Sequence, residues 1–485
     1  MSNESQPLNA AVETSVDHST LDMKAETEMT PCVRKEISRM FHLAWPVFLA
    51  YQLETLPGPI CVALVGHLQG DDVSVLVDAA YMSATVTNVT ALAIGFGLAS
   101  AMDTLCSQAY GAGKMDKLGI YFQSGLIVLG VALVPISLLS WHAESVLLFF
   151  GQDPAISKYA GQFSRVTIFG IPFLFVYELI KKLQQSQNIV LPMMYVACVG
   201  VVVNVVTGFC LTYYTSWGFL GAAVGRVCGS VALPLTIVAY FHYDHATTST
   251  WWRGFQWRDA CSHVGLFLSL GVPSMTMLAV SWWAFCALGF LAGILPNSVH
   301  AVSVNAVLGQ LLTLNFMIYL GISVASNVLI GNALGANQPQ RARLIARLGL
   351  TAGGISAAIM ASLFLVGRHA IPYLFVSDPL TIEHVATAMF VMVPLGVFDG
   401  MNGICEGIFK GMGLQTRAAV INILSYYAFG LPMAYYIGIT CGYDLEGVWL
   451  GFSLGTTACF GIFIAMIQST DWPVLAKLAQ DRVQL

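Results

Sequence analysis

The sequence predicts an all-α polytopic membrane protein with twelve transmembrane helices, in two parallel six-helix repeats. Three observations predict it. Only 10% of residues are charged, where a soluble domain carries about 25%. The hydrophobic fraction is 56% and the mean hydropathy is +0.72. The apolar residues also come in blocks of roughly 20, the length that crosses a bilayer as a helix.

Residues 1–33 are polar, rich in Thr, Ser, Glu and Asp, and read as a disordered cytoplasmic tail. They lack a basic stretch followed by an apolar core, so no signal peptide is expected. The spans fall at 41–66, 80–106, 120–141, 163–183, 190–212 and 218–241, then at 264–290, 302–325, 346–366, 386–408, 417–438 and 447–468. Barrel strands need only about ten alternating residues, so helices are the reading for such blocks. Pro46, Pro135, Pro273 and Pro394 lie inside spans. Membrane helices tolerate them when neighbours satisfy the freed backbone groups.

Basic residues set the topology. With the amino terminus inside, only Lys158, Arg165 and Arg368 fall outside and Arg226 lies within a span. This bias predicts both ends in the cytoplasm. Asp71 and Asp72 fall in the first outer loop. The eleven cysteines mostly sit in apolar blocks and read as packing residues.

An internal repeat runs through the chain. Gly95-Phe96-Gly97-Leu98-Ala99-Ser100 matches Gly321-Ile322-Ser323-Val324-Ala325-Ser326. Gln108-Ala109-Tyr110-Gly111 matches Asn332-Ala333-Leu334-Gly335, and Phe150 to Pro154 matches Phe375 to Pro379. The matches keep one offset of about 225 residues. Six spans per repeat leave both halves starting on the same side, as parallel repeats do. The expected units are an N-terminal lobe at 34–241, a polar cytoplasmic linker at 242–263, a C-terminal lobe at 264–470 and a cytoplasmic tail at 471–485. Trp251, Trp252 and Trp257 in the linker are expected to mark a membrane interface.

Acids inside apolar blocks are the functional candidates, because a carboxylate at bilayer depth is costly. Asp399 lies well inside span ten and Glu54 in the middle of span one. Each can exchange a proton for a cation, which is what an antiporter needs. Glu406 stands four residues before Lys410, and an i,i+4 pair is the plain reading. Glu178 with Lys181 and Lys182 reads the same way. Asp103 can bridge helices or cap a loop. Polar and aromatic groups that could line a cleft are Gln52, Tyr177, Asn204, Ser281, Trp282, Trp283, Gln310, Asn315 and Tyr319. Aromatic faces bind delocalised cations. Gln108 with Gly111 and Asn332 with Gly335 sit at matching inner ends and read as close-packing structure. No metal-ligand spacing, catalytic triad, phosphate loop or nucleic-acid-binding basic patch is present, so neither an enzyme nor an ATPase is expected. No cofactor is implied.

Five strings carry a family resemblance. They are Val65-Gly66-His67-Leu68, Asp103 to Gly111, Val272-Pro273-Ser274-Met275, Ile330 to Ala336, and Lys410-Gly411-Met412-Gly413. Together, over residues 34 to 470, the chain resembles the multidrug and toxic compound extrusion (MATE) family, and its eukaryotic branch. The resemblance implies a V-shaped two-lobe transporter that works by alternating access. It implies export of small organic, often cationic, compounds against a proton or sodium gradient, with proton coupling in eukaryotic members. His67 would orient the outer loop. The family's second lobe carries acids where this chain has Ser281, Cys286 and Gln310, which leaves Asp399. The expected function is therefore proton-coupled antiport through Asp399, with Glu54 as the second coupling group. The alternatives are an exporter of neutral or anionic solutes with sodium or other coupling, a lipid flippase or related carrier, and a transport-inactive sensor or scaffold. A monomer in the plasma membrane is expected, with a vacuolar or vesicular membrane as the other location.

Overall fold

A computed structural model describes residues 32–70, 72–295, 298–375 and 378–484. The expected tail at 1–31, Asp71, Val376 and Ser377 lie outside the described residues, as does the side chain of His300. Among the described residues all twelve expected spans are helices. They are α1 Val33–Gly66, α2 Val73–Gly111, α3 Met115–Trp141, α4 Pro154–Ser186, α5 Leu191–Tyr213 and α6 Phe219–Tyr243. The second set is α7 Trp257–Gly293, α8 Val304–Gly335, α9 Pro339–Gly367, α10 Leu380–Met412, α11 Gln415–Thr440 and α12 Asp444–Ser469.

Most helices overrun the apolar blocks that announced them, because polar turns continue a helix once its apolar part has formed. Local chemistry sets several ends. Asp153 accepts from the amides of Ala155 and Ile156, ahead of Pro154 in the first turn of α4. Asp378 caps α10 through the Thr381 amide. Gly413 ends α10 with φ of 74°, a left-handed cap that only glycine adopts cheaply. Pro57 follows a break at Leu56, which splits α1 into Val33–Thr55 and Pro57–Gly66. A π-helical turn at Asn88–Leu92 widens α2, and two more, Leu424–Gly430 and Tyr436–Thr440, widen α11.

The helices pack as two lobes with separate cores. One apolar core runs through α7 to α12 and takes in the first turns of α1. The other runs through α2, α3, α4 and their neighbours. Between lobes, α1 packs on α8 and α7 packs on α2. These are equivalent contacts if each half is mapped on the other, so the repeat in the sequence becomes a pseudo-two-fold axis between lobes. The lobes join where α2, α8 and α10 end and α1 begins, and the arrangement is the V-shaped two-lobe fold.

Three expectations change. Residues 257–263 were placed in the linker, yet they are the first turns of α7. The remaining connector includes a short helix, His245–Trp251, and it is strapped to α3. Gln123 accepts from the Gln256 amide at 2.7 Å and donates to the Gly254 carbonyl at 3.0 Å. Trp251 does not mark a membrane interface: it is buried between Phe122 and Phe241, because the α3 side chains offer it a protein pocket. Finally, the expected tail at 471–485 contains a helix, Trp472–Gln484, which buries Trp472, Leu475, Ala476, Ala479 and Val483 against the bundle. That spacing is an amphipathic stripe.

Candidate functional site

In the second lobe, α8 and α10 bring three of the expected residues together. Asn315 and Tyr319 are one turn apart on α8, and both are buried. The Asn315 amide donates to the Gly396 carbonyl of α10 at 3.2 Å. The ring of Tyr319 lies flat against Gly400, where any side chain would collide with it. Asp399 sits between Gly396 and Gly400, is 7% exposed, and lies within electrostatic reach of Tyr319. Among the described residues nothing donates a hydrogen bond to Asp399, and no cation pairs with it. The Tyr319 hydroxyl and the Asn315 oxygen also have no partner. The lobe thus holds a carboxyl and two polar groups in apolar surroundings with spare hydrogen-bonding capacity.

The first lobe holds its acid differently. Glu54 of α1 accepts from the Tyr177 hydroxyl at 2.6 Å and from Lys181 at 2.7 Å, both on α4. Lys181 also reaches Glu178 at 2.6 Å, and Lys182 lies 3.6 Å from the other Glu178 oxygen. Lys182 then donates to both oxygens of Asp103 on α2 at 3.0 Å. Asp103 of α2 is thus joined to Lys182 of α4.

A third cluster ties the lobes together near the termini. Thr104 donates to the Lys410 carbonyl at 2.6 Å, and Gln108 to the Gly411 carbonyl at 3.1 Å. Arg482 of the C-terminal helix donates to the Gln108 oxygen at 2.7 Å. Burial pulls the pKa of Arg482 down from its ordinary value. Arg341 at the start of α9 pairs with Glu36 of α1 at 2.9 Å. Gly111 packs on the backbone of Asn332, and Gly335 packs on the backbone of Gln108. A side chain at either glycine would collide with a carbonyl. With its amide turned to pair donor with acceptor, Asn332 reaches the Ser107 carbonyl at 2.8 Å. A further cross-lobe bond runs from Trp283 of α7 to the Val89 carbonyl of α2, at 3.3 Å. Val89 stands in the π-helical turn of α2, where the ladder is widened.

Several expected residues fall elsewhere. Glu406 does not pair with Lys410: its carboxylate accepts from the Asn422 amide of α11 at 2.7 Å, a partner that faces it across the helix pair. Asn204 does not face a cleft. It is buried between α5 and α6, against Gly225 and Gly229, because those glycines let the two backbones close around it. Gln310 is exposed on α8, and Trp283 is 46% exposed. Ser281 and Trp282 are half-buried, and the Ser281 hydroxyl turns back to the Met277 carbonyl. Gln52 is half-buried beside Glu54 in sequence, but no side-chain bond joins it to the Lys181 cluster. His67 bonds its own helix at the Ala63 carbonyl, 2.8 Å away, and so finishes α1. Sequence reasoning missed the Lys181 bond to Glu54. Its local i,i+3 partner Glu178 was in view, and the distant one was not.

The family model MatE matches residues 46–210 and 273–436. The chain is 30% identical to multidrug and toxin extrusion protein 2 of Mus musculus over 457 residues, 94% of this chain and 78% of that one. It is 31% identical to protein DETOXIFICATION 16 of Arabidopsis thaliana, over 93% of this chain and 92% of that one. The crystal structure of the eukaryotic MATE transporter AtDTX14 superposes with a TM-score of 0.88 at 25% identity, covering 93% and 99% of the two chains. With twelve spans, a two-fold repeat and matches in both lobes, the chain belongs to the MatE family of membrane transporters, and it is not an enzyme.

Proposed function

We propose that the protein is a secondary active exporter of small organic solutes, driven by proton antiport, with Asp399 as the main titrating group. The names of its relatives support extrusion of drugs and toxins. One observation carries the coupling assignment: Asp399 is a buried carboxyl without a cation or donor beside it, while Glu54 already has both. An unpaired carboxyl in apolar surroundings favours its neutral form. It therefore takes a proton from the side where protons are plentiful and gives it up when a cationic or polar solute displaces it. Linkage makes the exchange reciprocal, so the proton weakens solute binding by the factor that the solute weakens proton binding. Asn315 and Tyr319 supply hydrogen bonds to the solute, and Trp282 supplies a ring face. Glu54 supports coupling only when Lys181 moves away. Both termini are assigned to the cytoplasm from the basic loops, and the closed face is then the inner one. The protein works as a monomer in the plasma membrane.

The test is uptake of a labelled organic cation into proteoliposomes with an imposed pH gradient. Asp399→Asn removes gradient-driven flux and Glu54→Gln reduces it. If Asp399→Asn transports as the wild type does, the assignment is wrong. A second reading has its own support. Ser281, Cys286 and Gln310 are neutral where the family carries acids, and this favours weakly charged or neutral solutes and leaves room for sodium. The same vesicles with a sodium gradient and no pH gradient separate the two: flux driven by sodium alone favours the second.

A further inference from the structure

The acid of the first lobe already holds an ammonium group, and that group belongs to the protein. The Nζ of Lys181 lies 2.7 Å from Glu54 and 2.6 Å from Glu178. It stands 4.1 Å from the centre of the Tyr51 ring, 5.3 Å from Tyr177 and 5.8 Å from Phe96. The Tyr177 hydroxyl holds the far oxygen of Glu54 at 2.6 Å, which fixes the carboxylate toward the ammonium. Three helices contribute: Tyr51 and Glu54 from α1, Phe96 from α2, and Tyr177, Glu178 and Lys181 from α4. Two carboxylates and three ring faces around one nitrogen are the components that recognise an alkylammonium ion. Lys181 is wholly buried, while the Glu54 side chain keeps 13% exposure, so the enclosure meets its surroundings past Glu54.

We propose that this enclosure is a primary-alkylammonium site and that Lys181 is its tethered occupant. Lys181 is then the residue that sets specificity in the first lobe: it keeps organic cations out, and they engage only the Asp399 side. Charge balance fits this. Glu54, Glu178 and Asp103 face Lys181 and Lys182, with Lys410 the other cation nearby, so removal of one ammonium leaves the cluster short of a positive charge. A plain structural ion pair has the same deficit, but it has no reason to discriminate between cations of different shape. The inference concerns binding. It deepens the exporter reading by assigning organic cations to the second lobe, and the binding it describes in the first lobe does not require Asp399.

The experiment is thermal unfolding of purified Lys181→Ala protein in n-propylammonium, with tetramethylammonium and sodium at equal ionic strength as controls. The alanine variant keeps Cβ and vacates the three outer carbons together with the ammonium, which is the outline of n-propylammonium. A ligand that binds only the folded state raises Tm in proportion to its occupancy. The expected result is a saturable rise of Tm with n-propylammonium alone that exceeds any rise in the wild type and is lost in Lys181→Ala/Glu54→Gln. Equal response to all three cations, no response, or the same response in the wild type overturns the proposal. If Lys181→Ala does not fold, Lys181→Met keeps the stem and opens only the place of the nitrogen, and ammonium itself replaces n-propylammonium with the same outcomes. Repeating the measurement in an Asp399→Asn background separates the two readings: the ammonium response persists there whether or not Asp399 couples transport.

Discussion

Lys182 and Asp103 form an enclosed ion pair that joins two helices, with side chains 5% and 6% exposed. Breaking such a pair from one side strands a charge and costs about 3–5 kcal/mol, whereas removing both charges costs much less. Asp103→Asn is therefore expected to lower the unfolding temperature sharply, and Asp103→Leu/Lys182→Met to recover most of the loss. Thermal unfolding of the variants in detergent measures both. The same logic explains what was legible at this scale. Asp399 and Glu54 stood out because an acid inside an apolar block is rare. The difference between them was not legible, because it depends on Lys181 lying beside Glu54 across 127 residues. Glu406 was misjudged for a related reason: a local lysine at the right spacing concealed Asn422, which tertiary packing brings closer.

The short C-terminal helix shows how an element can be read two ways. Its polar residues suggested a tail, but Trp472, Leu475, Ala476, Ala479 and Val483 fall on one stripe. The bundle offers that stripe a surface, so it folds and docks. It bonds the first lobe through Arg482 to Gln108 at 2.7 Å and through Lys114, which donates to the Val483 carbonyl at 3.5 Å. A hydrogen bond to a charged donor is worth about 1.5–3 kcal/mol net, enough to shift a two-state equilibrium by at least about tenfold. Arg482→Ala is expected to move the population away from the closed inner face. Spin-label distances between α3 and α9 would report this as a broader distribution with a longer inner-face component. The spans themselves were the most legible elements, since bilayer length and apolar content leave no other structure. Their ends were not, because polar turns extend them, as at the start of α7.

Across the whole molecule, the repeat in the sequence reappears as a symmetric contact. Gly111 meets Asn332 while Gly335 meets Gln108, and each glycine admits the other lobe's backbone. Gly111→Leu and Gly335→Leu are thus expected to give one phenotype: a folded protein that cannot close its inner face and has lost transport. Accessibility of an inner-face cysteine to a charged thiol reagent measures the opening. The two substitutions should agree with each other, because the contact is reciprocal; strong disagreement would show that the lobes do not move about a shared axis. The two-lobe plan was legible from the offset of the repeats, but the faces that meet were not, since glycine strings mark close approach without naming the partner. Those same partners also set an order of assembly. Gln108 waits for Arg482, 374 residues further on, and synthesis at about 5–20 residues per second puts roughly 20 to 75 s between them. For most of that interval, until Lys410 and Gly411 arrive, the nascent first lobe sits in the bilayer with Thr104 and Gln108 unmet, and the Gln108 oxygen waits to its end. The inner face is therefore the last part of the protein to mature, and a ribosome that stalls late in the second half would leave a folded lobe with an unsealed seam.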